Sequence, residues 1–473
     1  MRAARIGSGK FPLAVGATCA AAIALTACGS PTGGEGGGTG ENALPGAEQY
    51  LASQCPEPGT KPAGKEFTYW SMWTADEPQG KVVKHAIDCF SQKTGVKVNV
   101  QWLGRKLLTQ NVGPALNTND VPDLVDQDLN QMKAAVVAPG GTQSVEDVYG
   151  LKVGEGDKTV KDVLLPTSHD MEQNADAAGK PFLVPYELIS DAWWYQKGGE
   201  QVTPPKTIDE LFGLFDKAKQ AGKNAVAQDG DINDYNTYYF TQLAARYVGP
   251  GGLAKAVSDR SGQLWKSDPG YLKAAQLVER LAKGGYLIDG WDASKFPQVQ
   301  QRWADGDAAY LFNGSWIPSE IREYLGKQGG GKKIDYGSFQ FPMPDGATHD
   351  IVEQLPIGFS VLAKAKHPEP AKAFMAYMVN KDILAGIPAV SDNLTPRADL
   401  PVPDDLKPIK ATLEDTKKEH MLIKDGIDGM FGGKYVDAVL YPLNNDLLKG
   451  KLTAAAFVDA LAAKTAEYWK AQG

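Results

Sequence analysis

Aromatic rings followed by carboxylate or amide side chains recur at the ends of predicted strands. Ser71 and Trp73 follow the first strand, and Asp126, Gln127 and Asp128 stand at the end of the third and just after it. An indole ring can cover the apolar C–H face of a sugar, while carboxylate and amide oxygens accept hydrogen bonds from its hydroxyl groups. A cleft for a sugar would need such residue types, and Trp73 is the candidate for its stacking platform.

The remaining candidate ligand-binding residues lie at other strand ends or in predicted helices late in the chain. They are Tyr186, Glu187, Trp193, Gly314, Ser315, Trp316, Gln354, Phe431 and Tyr435. Some have structural alternatives: Asp126 is equally suited to capping the next helix, and Trp316 taken alone is typical of a core residue. Trp193 and Trp194 alternate on a strand, so we expect one to be buried and the other to face the cleft.

Motifs for enzymatic chemistry are missing from the sequence. It contains no Gly-x-Ser-x-Gly, His-Glu-x-x-His or phosphate-loop motif, and its five His residues show no metal-ligand spacing. The stretch 229–236 begins like a calcium loop but lacks Gly at its sixth position and Glu at its twelfth, so we expect a polar surface loop. None of the 57 acidic residues is marked out as part of a glycosidase pair. We therefore expect no catalytic residue, metal or cofactor, and the net charge of -8 argues against a nucleic-acid partner.

The N-terminus has the pattern of a secretory signal. Basic residues precede an apolar run at 11–25 that is too short for a membrane span. The residues from Leu25 to Gly29 resemble a bacterial lipobox with Cys28 as the lipidated position, an ordinary cleavage site being the alternative. We expect a signal peptide at 1–27 and a lipidated, Gly-rich tether at 28–46.

Two of the four Cys residues remain for the folded part of the chain. Cys19 lies in the signal and Cys28 is expected to carry lipid. Cys55 and Cys89 are then an even pair outside the cytoplasm, for which we expect a disulfide, two buried thiols being the alternative.

Strands and helices alternate after the tether. Apolar periodicity predicts strands at 66–70, 96–102 and 121–127, with helices at 81–94 and 105–117 between them. Such alternation forms right-handed βαβ units around a mostly parallel sheet, which is a doubly wound lobe.

The surroundings of Trp316 and several other stretches resemble one protein family. A predicted helix at 298–305 precedes Gly306-Asp-Ala-Ala309, and the turn Gly314-Ser-Trp316 follows. This order resembles the family 1 extracellular solute-binding proteins of ABC importers, which include the maltose-binding protein and in which this Trp stacks on sugar. Further matches run from about Lys65 to the end of the chain, with Gln196 replacing Asn and Ile208 replacing Trp. They include Lys93 to Val100, Pro122 to Val125, Gly179 to Tyr186 and Trp193 to Lys197.

This resemblance implies an α/β fold of two doubly wound lobes joined by a hinge, like the type II periplasmic binding proteins. The first lobe would comprise 47–190 and 360–397, and the second 191–359 and 398–473. The protein would be a monomer, lipid-anchored on the extracytoplasmic face of the cell membrane. It would capture an oligosaccharide or related sugar by hinge closure and deliver it to ABC importer membrane subunits. The alternatives are a polyamine, glycerol phosphate or peptide ligand on the same fold, an extracytoplasmic glycosidase, or a purely structural surface protein.

Overall fold

The computed structural model describes residues 45–198, 202–329 and 333–473. The predicted signal peptide, Cys28 and almost all of the predicted tether lie outside the described residues. In the described part of the chain, no helix is both long enough and apolar enough to cross a bilayer.

The described strands form two sheets. The strands are β1 (Glu66–Ser71), β2 (Lys97–Trp102), β3 (Leu124–Asp128), β4 (Val184–Ile189), β5 (Asp191–Gln196), β6 (Asn224–Ala227), β7 (Ala308–Gly314), β8 (Tyr336–Phe339), β9 (Ile351–Val361) and β10 (Glu419–Leu422). The first sheet has the order β10–β9–β3–β1–β2, with β4 also paired to β9, and the second has the order β6–β7–β5–β8. We call the part of the chain packed around β1 to β4 the first lobe, and the part packed around β5 to β8, which includes the segment after β10, the second lobe.

Helices surround both sheets. They are α1 (Ala47–Leu51), α2 (Pro78–Thr94), α3 (Gly104–Leu116), α4 (Leu129–Met132), α5 (Val160–Val163), α6 (Pro166–His169), α7 (Ile208–Gln220), α8 (Asn233–Val248), α9 (Gly252–Ser258), α10 (Leu264–Ser267), α11 (Pro269–Lys283), α12 (Gln298–Asp305), α13 (Ile317–Gln328), α14 (Pro368–Met378), α15 (Lys381–Leu384), α16 (Gly386–Val390), α17 (Lys407–Leu413), α18 (Tyr441–Leu448) and α19 (Ala454–Gln472). A π-helical segment, Lys133–Val137, continues α4, and another, Val436–Leu440, leads into α18. Short 3-10 turns include Ile423–Gly433, which contains residues with left-handed backbone conformation.

The first lobe follows the sequence pattern closely. Strand β1 pairs in parallel with β2 and β3, as the predicted βαβ units require, whereas β9 runs antiparallel to β3 and β4. Helix α2 ends at Gly95, whose φ of 73° is the left-handed conformation that glycine adopts most easily. One apolar cluster, which includes Phe67, Phe90 and Phe374, fills the space between this sheet and its helices.

The second lobe corrects one prediction. Strand β5 is central, antiparallel to both β7 and β8. Trp193 packs with Phe215 and Phe312 on one side of the strand, and Trp194 lies in a separate cluster with Trp303 on the other. Both tryptophans are therefore buried, because apolar residues cover both faces of the strand.

The segment before β1 is attached to the first lobe. Cys55 and Cys89 form the predicted disulfide, which ties this segment to α2. Tyr50, in α1 of this segment, is buried and donates a hydrogen bond to the Ile383 carbonyl oxygen at 2.7 Å. The disulfide prediction is confirmed.

Candidate ligand-binding cleft

A cavity of about 840 Å³ is lined by residues of both lobes. From the first lobe, its lining comes mainly from β3, β4 and the segments after β1, β2 and β3: Trp73, Glu77, Gln79, Arg105, Asp128, Asn130, Gln131 and Glu187. From the second lobe it comes mainly from α8, α13 and the segment after β10: Asp234, Tyr235, Tyr238, Trp316, Glu320, Lys424, Asp428 and Tyr441. The cavity therefore lies at the carboxyl ends of strands of the first sheet, where open α/β sheets bind ligands.

A buried hydrogen-bond chain fixes Trp73 on the first-lobe side. Its indole Nε1 donates to the Tyr186 hydroxyl at 2.6 Å, and that hydroxyl donates to Asp126 Oδ2 at 2.7 Å. The Trp73 backbone N–H donates to Ser71 Oγ at 3.1 Å. Burial raises the pKa of Asp126 to about 6, although the hydrogen bonds from Tyr186 and the Met72 backbone oppose that rise. Ser71, Asp126 and Tyr186 thus support Trp73 from behind and do not line the cavity themselves.

One face of the Trp73 ring carries a cation. The Arg105 guanidinium carbon lies 4.3 Å from the ring centroid, which is a cation–π contact. Arg105 also pairs with Glu77 at 2.8 Å, and Glu77 accepts from the Thr74 backbone N–H at 2.6 Å. A sugar that stacks on this face of Trp73 has to displace the guanidinium.

Glu187 contributes a buried carboxyl group to the cavity lining. Its Oε1 atom accepts from Gln79 Nε2 at 3.0 Å and from Asn393 Nδ2 at 2.6 Å. Its Oε2 atom is buried and has no hydrogen-bond partner among the described residues. Burial raises the pKa of Glu187 to about 7, and the two amide donors oppose the rise.

Trp316 is the aromatic surface of the second lobe. It directly precedes α13, its ring is partly exposed, and it stacks with Tyr235 at a centroid distance of 6.1 Å and an interplanar angle of 29°. Gly314 allows the ring to fold back, because a Cβ atom there would lie 2.0 Å from it. The buried Trp316 Nε1 has no acceptor within the described chain. The same turn is fixed by Ser315, whose hydroxyl donates to Asn393 Oδ1 at 2.7 Å.

A buried lysine, Lys424, lies on the second-lobe side of the cleft, as Trp316 does. The Lys424 ammonium group pairs with Asp428 at 2.5 Å and also contacts Asp234. Its backbone has a φ of 53°, a conformation that costs free energy for a non-glycine residue. Burial lowers the pKa of Lys424, while Asp428 and other carboxylates oppose that change. The strained backbone is therefore held where the ammonium group meets two carboxylates.

Two further polar atoms of the lining are buried without a partner among the described residues: Asn130 Oδ1 and Ser391 Oγ. Together with Glu187 Oε2 and Trp316 Nε1, they offer acceptors, a donor and a hydroxyl that does both. Buried polar groups are costly unless they are paired, so a ligand rich in hydroxyl groups fits this arrangement. Within the described residues, no cluster of three metal-ligating side chains occurs.

The structure sorts the fourteen residues predicted to bind ligand. Trp73, Asp128, Glu187 and Trp316 line the cavity. Asp128 also caps α4, since its Oδ1 accepts from the Gln131 backbone N–H at 2.8 Å. Five further predicted residues contact or adjoin the two lining tryptophans without lining the cavity. Behind Trp73 are Ser71, Asp126 and Tyr186, and beside Trp316 are Gly314 and Ser315.

Five predicted positions are corrected, because packing directs their side chains elsewhere. Trp193 is in the second-lobe core, and the Tyr435 hydroxyl lies 2.6 Å from Thr465 Oγ1 in the same lobe. Gln354 Nε2 donates to the Thr167 carbonyl oxygen, and Gln127 Oε1 accepts from the Asp128 backbone N–H. Phe431 packs edge-on against Trp469, with ring centroids 4.7 Å apart.

Sequence reasoning missed several lining residues. Arg105 lies in the first turn of α3, after β2, and Gln79 lies in the first turn of α2, after β1, so the strand-end rule would have found both. Asp229, which is outside the lining, was expected with 230–236 in a surface loop, yet it is buried, its Oδ1 accepts from the Val299 backbone N–H at 3.0 Å, and α8 begins at Asn233. Lys424 and Asp428 carry no local signal, because they are distant in sequence from the other lining residues.

The chain is similar to several known proteins. A family model described as bacterial extracellular solute-binding protein matches residues 85–463. The diacetylchitobiose binding protein NgcE of Streptomyces coelicolor is 25% identical over 239 residues, which are 49% of each chain. The chain spans about half the length of the curated relatives it matches.

Solved structures share the fold over most of the chain. The apo form of RafE from Streptococcus pneumoniae superposes with a TM-score of 0.65 at 18% identity, covering 86% of this chain and 99% of that one. A chitin oligosaccharide binding protein gives 0.63 at 18% identity, covering 85% and 100%. At these identities the likeness concerns the fold, and the predicted two-lobed α/β class is confirmed.

Proposed function

The chain belongs to the bacterial extracellular solute-binding proteins, and from this we propose that it captures an oligosaccharide for an ABC importer. The observation that carries the proposal is the set of partnerless buried polar atoms, from both lobes, around one cavity with an indole surface. A sugar offers hydroxyl groups to such atoms and C–H faces to such a ring. The named ligands of the similar proteins, diacetylchitobiose and chitin oligosaccharides, support a saccharide.

The proposed mechanism is closure of the lobes around the sugar. A ligand that contacts Glu187 on the first lobe and Trp316 on the second gains both sets of contacts in the closed state. Because it binds the closed state better, it shifts the population toward that state. The division into 47–190 with 360–397 and 191–359 with 398–473 belongs to this proposal, as does recognition of the closed form by importer membrane subunits.

The proposal also includes a location. Cys28 would carry lipid and hold the protein to the extracytoplasmic face of the cell membrane. Labelled fatty acid should enter the wild-type protein in cells and fail to enter a Cys28→Ser variant. Equal labelling of the two would remove the lipid anchor from the proposal.

Calorimetric titration of the mature protein with neutral oligosaccharides tests the main proposal. We expect at least one gluco- or chito-oligosaccharide to bind, and small-angle X-ray scattering to show a smaller radius of gyration in its presence. Spermidine and glycerol 3-phosphate are the competing ligands. Binding of either of these without binding of any sugar would refute saccharide capture, and turnover of labelled oligosaccharide would indicate a glycosidase.

A further inference from the structure

The cavity lining is strongly acidic. It contains eight carboxyl groups and two basic groups, which are those of Arg105 and Lys424. The chain as a whole has a formal net charge of -8. The excess of acidic groups in the lining is therefore large compared with the charge of the entire protein.

Both basic groups are already neutralised within the site. Arg105 pairs with Glu77 at 2.8 Å, and Lys424 pairs with Asp428 at 2.5 Å and with Asp234. Each cation therefore already has a carboxylate at contact distance, and within the described residues neither forms an ion pair with Glu187 or Glu320.

Glu187 and Glu320 hold carboxyl groups without an ion-pair partner in the described residues. Glu187 is fully buried and receives hydrogen bonds from the neutral amides of Gln79 and Asn393. Glu320, on the opposite lobe, receives one from Gln300 Nε2 at 2.6 Å. Burial raises the pKa of both carboxyl groups, and the charge of Arg105 lowers both. A buried carboxylate with no cation is unfavourable, so the site lacks a positive charge.

Resting on the proposed saccharide function, we propose that this cleft selects a sugar bearing a protonated amine, such as an oligosaccharide of glucosamine. The Glu187 Oε2 atom, buried and without a partner in the described chain, binds the ammonium group. A charge-assisted hydrogen bond to a carboxylate is about twice as strong as a neutral one. An acetylated amine provides no charge, so the acetylated sugar leaves the acidic excess uncompensated.

The test compares two ligands that differ in one group. The β-1,4-linked disaccharide of glucosamine and its di-N-acetylated form are titrated calorimetrically into the mature protein at pH 7. We expect the amine form to bind about tenfold tighter or more, in line with a charge-assisted hydrogen bond at a buried carboxylate. The Glu187→Gln variant should lose about tenfold in affinity for the amine form and less than about threefold for the acetylated form. Glu146→Gln, which removes an exposed carboxylate paired with Lys180, is the matched control and should change neither affinity.

A proton readout separates this role from a purely structural one. Because burial raises the pKa of Glu187 to about 7, binding of the ammonium group should shift Glu187 toward its carboxylate and release a proton from it, seen as buffer-dependent enthalpy once proton uptake by the amine is subtracted. The acetylated form should release less, and the Gln variant should release none. Besides Arg105, the charged group that acts on Glu187 is Asp126, which raises its pKa.

The outcomes distinguish the inference from the function on which it rests. Tighter binding of the acetylated disaccharide, or an equal loss for both ligands in Glu187→Gln, would overturn amine selection and leave saccharide capture intact. Tight binding of spermidine with no binding of either disaccharide would overturn both.

Discussion

Replacing Tyr186 by Phe tests the idea that a buried hydrogen-bond chain positions the cleft. The Tyr186 hydroxyl accepts from Trp73 Nε1 at 2.6 Å and donates to Asp126 Oδ2 at 2.7 Å. All three side chains are buried. The substitution removes one oxygen atom and leaves a buried indole N–H and a buried carboxylate short of a partner. At about 1–3 kcal/mol for each of the two groups, we expect the free energy of unfolding to fall by about 2–6 kcal/mol.

The pH dependence of this loss follows from Asp126. Burial already holds the folded-state pKa at about 6, above that of the unfolded chain, so the folded state favours the protonated acid. This stabilising effect is present at low pH and is lost as the pH rises toward 6. Loss of the Tyr186 donor raises the pKa further, so the destabilisation by Tyr186→Phe should be larger at pH 8 than at pH 5.

Urea unfolding followed by tryptophan fluorescence at both pH values measures these effects. Tyr324→Phe is the matched control, since its exposed hydroxyl donates to Asp305 at 2.9 Å and its loss should cost less than about 0.5 kcal/mol. Sugar affinity should also fall in Tyr186→Phe, because Trp73 loses its anchor. If Tyr186→Phe is no more destabilising than Tyr324→Phe at either pH, the reasoning about this network is wrong.

Three further predictions concern the cleft, the disulfide and the pH response. Trp316→Ala should weaken sugar binding about tenfold, measured by calorimetry, with little effect on the free energy of unfolding. Trp193→Ala should instead lower the free energy of unfolding by about 3–5 kcal/mol, measured with urea. The opposite pattern would mean that Trp193 is the ligand contact. The double substitution Cys55→Ser and Cys89→Ser removes a crosslink between residues 34 apart in sequence and should lower the free energy of unfolding by about 2–4 kcal/mol. Sugar affinity should stay the same, because the disulfide does not line the cleft. A large change in the affinity measured by calorimetry would contradict this. Burial raises the pKa of Glu187 to about 7, so the protonated carboxyl group stabilises the folded state at low pH and this effect is lost as the pH rises from about 4.5 to 7. Glu187→Gln should therefore gain stability relative to the wild type from pH 5 to pH 8. Free energies of unfolding that change in parallel for the two proteins across that range would refute this.

Local features of the sequence were sufficient for five consecutive elements of the first lobe, β1, α2, β2, α3 and β3. Val96, Val98 and Val100 alternate with polar residues as a strand requires, and Gly95 ends the preceding helix because it tolerates positive φ. The disulfide could be predicted from cysteine number and compartment. Trp316 was placed at a strand end by a helix, a short apolar run and a Gly-containing turn. These signals act over a few residues, so the chain shows them without its fold.

The tertiary structure decided which of those residues face the cleft. Alternation puts Trp193 and Trp194 on opposite faces of β5, but distant helices cover both faces and bury both rings. Tyr186 ends up behind Trp73 because β4 pairs with β9, on which β3 also pairs, a neighbourhood that local periodicity does not specify. Lys424 reaches the cavity from a segment nearly 240 residues beyond Glu187, with a backbone conformation that only its packed surroundings stabilise. The sequence by itself determined several helices and strands and the types of side chain that could bind a ligand. Long-range packing decided which of those side chains line the cavity.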